Sequence, residues 1–82
     1  MTIEDKLLIA DVSTIITALI SGELTEEEHA ALRAKAVLLR ARLSQRMRAF
    51  AAEHGAHVAC PLNRAEYLLS ECLEHATLLG PQ

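Results

Sequence analysis

Residues 25–55 read TEEEHAALRAKAVLLRARLSQRMRAFAAEHG, and nothing in them interrupts an α-helix until the closing glycine. Thr25 is placed to cap, Glu28 returns the bond from the third helical position, and three consecutive acids sit where the helix dipole is positive. The spacing predicts a helix over 26–54. Within it Leu32, Ala36, Leu39, Leu43 and Phe50 recur at steps of four, three, four and seven, a heptad seam with Arg46 at one seam position and Met47 at its edge. Small Ala36 permits close approach of a neighbour. Val37 and Leu38 lie outside the seam and predict a second apolar contact near mid-helix.

The charge along this helix is sorted. Residues 30–52 hold no Asp or Glu but six of the eight basic residues: Arg33, Lys35, Arg40, Arg42, Arg46 and Arg48. Glu23, Glu26, Glu27 and Glu28 precede the segment and Glu53 follows it. Lys35, Arg42 and Arg46 flank the seam on one side, and Arg33, Arg40 and Arg48 on the other. Such an arrangement suits association with another helix.

Outward from this segment, the N-terminal stretch reads as a helix over 3–21, with Thr2 as cap, Asp5 at the third position and Gly22 as stop. Leu8, Ile9, Val12, Ile15, Ile16, Leu19 and Ile20 fall within an arc of about 140°. Ala10, Ser13, Thr14 and Thr17 opposite them are small and uncharged, which predicts cover on more than one face. The β-branched content would also suit a strand, but the spacing of three and four and the lack of a partner strand favour helix. On the other side, residues 54–60 (HGAHVAC) form a connector, and a third helix is expected over 64–79. Its cap would be Asn63, with Leu62 and Tyr67 closing a staple and Gly80-Pro81 ending it. Its buried face would be Ala65, Leu68, Leu69, Cys72, Leu73, Ala76 and Leu79, with Glu66, Glu71 and Glu74 turned outward.

The chain is therefore expected to be all-α, a three-helix hairpin-type domain with a long central helix, associated as a helical-bundle homodimer. Its 82 residues make one small domain, of a size that buries only roughly 60–65% of its unfolded surface. The apolar fraction of 51% comes largely from 14 Leu and 14 Ala, with one Phe, one Tyr and no Trp. Without large rings the core must come from many small side chains, which adds a reason to oligomerise. Antiparallel self-pairing of the central helix about Leu38 would bring Glu26, Glu27 and Glu28 near Arg46 and Arg48 of a second copy. The interface expected on this reading is Leu32, Ala36, Leu38, Leu39, Arg42, Leu43, Arg46, Met47 and Phe50.

Composition narrows the function classes. A formal charge of −3 argues against a general nucleic-acid binder, and the basic residues lack the interleaved aromatics that stack on bases. The least polar run, residues 7–21, contains Asp11 and is shorter than the roughly 18–20 residues that cross a bilayer. No basic leader or small-residue cleavage site opens the chain, so a cytoplasmic location is expected.

His54, His57, Cys60, Cys72 and His75 are the only residues with metal-ligand spacing. Cys72 lies roughly 13 Å along a helix from Asn63, however, whereas donors must converge within about 2–2.3 Å of one ion. The same distance argues against a Cys60–Cys72 disulfide. Cys72 and His75 share a helix, but no oxyanion-hole loop accompanies them. No metal, cofactor or catalysis is expected.

In its order of short helix, long helix, cysteine-containing connector and final amphipathic helix, the chain resembles the TraM quorum-sensing antiactivators in architecture. The expected function is a small non-enzymatic regulator or adaptor of inhibitor, antiactivator or chaperone type, binding a larger protein. Two alternatives use other residues: a metal- or thiol-responsive sensor built on the connector, and a nucleic-acid-binding regulator using the basic helix.

Overall fold

The computed structural model describes residues 2–74, and all regular structure among them is helical. Helix α1 spans Ile3–Ile20, α2 spans Glu26–His54 and α3 spans Asn63–Glu74, each packed against the other two. A tight connection after α1 and the Asp5–Arg46 contact make α1 antiparallel to α2. The eight residues between α2 and α3 turn the chain again, so that Asn63 and Glu66 lie beside Met47 and Phe50 while Leu73 and Glu74 lie beside Arg33 and Val37.

Local chemistry sets each end. The Thr2 hydroxyl accepts from Asp5 N–H at 3.1 Å. Thr25 and Glu28 form the full reciprocal box, with Glu28 N–H donating to Thr25 Oγ1 at 3.1 Å and Thr25 N–H donating to Glu28 Oε1 at 3.0 Å. These bonds hold the Glu28 carboxyl below the usual range, the backbone donor of Thr25 most and its hydroxyl next. Gly55 leaves α2 at φ +95, ψ 144, a region closed to residues with a Cβ. A Cβ there would also stand 2.7 Å from His57 Cε1, because the imidazole folds back over the glycine.

One core runs the length of the bundle. Leu8, Val12, Ile15 and Leu19 of α1 meet Ala36, Leu39 and Leu43 of α2, and Leu62, Ala65, Leu69, Cys72 and Leu73 close the third side. Leu19, Leu43 and Leu69 are almost wholly enclosed. Side chains of this size contribute about 1.5–3 kcal/mol each on burial, so leucines supply most of what the absent aromatics would.

Several expectations need correction. The heptad seam of α2 closes on the chain itself: Ala36, Leu39 and Leu43 are buried, and Leu32 and Met47 pack against the core, so in this fold these residues hold α1 and α3. Arg46, expected to meet acids of a second copy, is bonded through Nε to Asp5 of its own chain. The back of α1 is exposed in the chain, at Ala10, Ser13, Thr14 and Thr17. Ile20 is exposed too, since it ends the helix beyond the last core layer.

Asn63 is the first residue of α3 rather than its cap. Its N–H bonds to Cys60 O at 3.1 Å, so the turn begins earlier, at the proline. Tyr67 is 60% exposed while Leu62 is buried, leaving Leu62 to the core rather than to a staple. Leu68 is 43% exposed because it sits at the margin of the arc centred on Ala65, Leu69 and Cys72. Ala76, Leu79 and the rest of 75–79 lie outside the described residues.

Candidate functional site

Two regions concentrate chemistry: a cleft at the base of α2 and the outward face of its middle. The cleft, about 340 Å³, is framed by Asp5 and Arg46 on one side and by Phe50, Glu53, His54 and Cys60 on the other. Asp5 and Arg46 occupy core-facing positions on α1 and α2, where an antiparallel hairpin brings them opposite each other. Arg46 Nε donates to Asp5 Oδ1 at 3.0 Å. That bond lowers the Asp5 carboxyl below the usual carboxylate range, outweighing the opposite effect of burial, with Thr2 adding to the lowering. The same bond raises the Arg46 guanidinium. The pair links the start of α1 to the last third of α2.

The histidines and thiols are dispersed rather than convergent. His54 ends α2, its ring 4.4 Å between centroids from Phe50 and its Nε2 3.9 Å from Glu53 Oε2. His57 lies over Gly55. Cys60 is half-buried against the core, and Cys72 is buried on α3. Burial pushes the Cys72 thiol up, which keeps it protonated and unreactive. His75 lies outside the described residues. Among the described residues no three His, Cys, Asp or Glu side chains are grouped so as to hold a metal ion, and no helix is long and apolar enough to cross a membrane.

The outward face of α2 has a different character. Ala31, Ala34, Leu38 and Ala41 are exposed, with Leu38 at 68% and Val37 at 47% beside them. Their steps of three and four repeat those of the core seam, half a turn away on the same helix. Lys35 and Arg42 border this strip along one edge, and Arg48 lies beyond it. None of the three makes an ion pair among the described residues. Of the interface set read from the sequence, Leu38 and Arg42 alone are exposed, while Phe50 is half-buried at the cleft.

Sequence reasoning passed over two buried polar residues. Asp5 was read only as a capping residue, although it shares the face of Leu8 and Val12. That position, together with Arg46 in the opposing seam, was the available signal. His29 is buried in the first turns of α2, and its Nε2, like Arg33 Nε, has no hydrogen-bond partner among the described residues. Nothing in the spacing marks it apart from its place one turn before Leu32.

No protein-family model, characterised protein or solved structure matches this chain. The likeness to TraM antiactivators thus stands on the order of elements alone.

Proposed function

We propose that this chain is a small non-enzymatic regulator or adaptor, of inhibitor, antiactivator or chaperone type, that acts by binding a larger protein through the outward face of α2. The observation carrying this reading is the exposed apolar strip around Leu38, edged by Lys35 and Arg42, cations with no ion pair among the described residues. A solvated helix back normally carries charge across its width. Here the charge stands at the edge and the centre is alanine and leucine, a surface over which a second helix can lie close. The cationic border selects for a partner helix with acids along the matching side. Exposed pairs of this kind add only tenths of a kcal/mol each, so they would orient the partner while the apolar strip supplies the affinity.

The test is affinity capture from the native host, comparing the wild type with Leu38→Glu and Arg42→Glu, each checked for unchanged helical circular dichroism. A protein retained by the wild type, lost from folded Leu38→Glu and retained less well by folded Arg42→Glu is the expected result. Capture that is indifferent to both substitutions would overturn the reading.

A further inference from the structure

We propose that the exposed face of α1 pairs, in parallel, with the same face of a second copy of this chain. The side of α1 turned away from its own core is an unbroken strip: Ile3, Leu7, Ala10, Thr14 and Thr17, at steps of four, three, four and three. Ile3 is 77% and Leu7 61% exposed, and no charged residue interrupts the strip. This is the heptad period of a two-helix seam, with Leu7 and Thr14 in one layer type and Ile3, Ala10 and Thr17 in the other. It lies opposite Leu8, Val12, Ile15 and Leu19, which are committed to the intrachain core. One helix thus carries two seams.

The polar atoms of the strip are already satisfied. Thr14 Oγ1 donates to Ala10 O at 3.0 Å and Thr17 Oγ1 donates to Ser13 O at 2.9 Å. Burying these threonines against a second helix strands no hydroxyl donor, which is the usual penalty for a buried threonine.

Charge decides both the occupant and its direction. Lys6 and Asp11 border the strip on opposite edges, both exposed and neither in an ion pair among the described residues. They are five apart, the separation at which flanking positions of two parallel helices meet across a heptad seam. Two-fold symmetry makes that contact twice, Lys6 of each copy against Asp11 of the other. Antiparallel pairing over the same strip centres on Ala10 and sets the two Asp11 carboxylates along one edge with no cation between them. A parallel second copy is therefore the complementary partner. The strip is about 22 Å long, a contact of a few helical turns, so self-association is sought at micromolar concentration.

Sedimentation equilibrium over the micromolar range tests the proposal. The expected result is a mass that rises from 9.0 kDa towards twice that value. Leu7→Glu, at an exposed position, should raise the dissociation constant by at least about tenfold with helical circular dichroism unchanged. Lys6→Glu and Asp11→Lys should each weaken self-association, and the two variants mixed should form a heterodimer tighter than either homodimer. Thr17→Cys, in a Cys60→Ser background, should cross-link to itself on mild oxidation, since only parallel pairing brings residue 17 to residue 17. A mass of 9.0 kDa throughout, a dimer indifferent to Leu7→Glu, or a dimer in which Thr17→Cys chains fail to cross-link overturns it.

Discussion

Asp5 and Arg46 are the only ion pair of the described residues that ties distant parts of the chain, and their energetics follow from the sign of one shift. The folded state holds the Asp5 carboxyl below its unfolded value. Its contribution is therefore present above the ordinary carboxylate range and lost as pH falls through the lowered folded value. Glu28, lowered by Thr25, adds in the same direction. The expected outcome is a melting temperature that drops as pH is taken from 6 down through about 4 towards the folded values. Asp5→Asn should melt lower than the wild type at neutral pH and show a shallower acid slope, the remainder belonging to Glu28. Thermal melts followed by circular dichroism at several pH values check this, and identical slopes would show that the pair contributes nothing.

At the scale of the element, each face of α2 has its own energetic role. Leu43 is enclosed between α1 and α3, so Leu43→Ala should cost about 2–5 kcal/mol, a large part of the stability of so small a domain. Leu38→Ala, on the outward strip, should stay within about 0.5 kcal/mol. Urea denaturation of the two variants measures the contrast. A similar loss in both would mean that Leu38 is covered. The three helices and most of the buried layers, though not the exposure of Ile20 and Leu68, were legible in the sequence because capping residues and heptad spacing act locally. Thr2, Thr25 and Glu28 do in the structure what their positions imply. What the seam packs against was not legible, since an apolar stripe reads alike whether it meets its own chain or another. Arg46 shows why. As a seam residue it suggested an intersubunit contact, and only the hairpin closure that brings Asp5 opposite reveals the partner. The start of α3 was misplaced by a single residue, because Asn63 has the chemistry of a cap but the proline turn before it already supplies the first helical bond.

Across the whole molecule, the long central helix governs shape. The radius of gyration is 13.7 Å, above the roughly 12 Å of a compact chain of this length, and the longest dimension of 44 Å is that of α2 itself. A slender bundle exposes much of every helix, so each has an outward flank with distinct chemistry. That of α1 is an uncharged strip between Lys6 and Asp11, that of α2 is cation-edged, and that of α3 carries Tyr67 and Leu68.

The position of Tyr67 has an optical consequence. It is the sole tyrosine of a chain without tryptophan, so the intrinsic fluorescence of the protein comes from one phenol standing in water on the α3 flank. Light emitted by that ring monitors one side of the bundle and ignores the other two. Self-association along α1, or a partner laid over α2, should leave its intensity and decay time unchanged, whereas anything that settles on α3 should alter both. Titrations that change the mass while the emission stays constant would place the new contact on the dark sides of the molecule, with no label added.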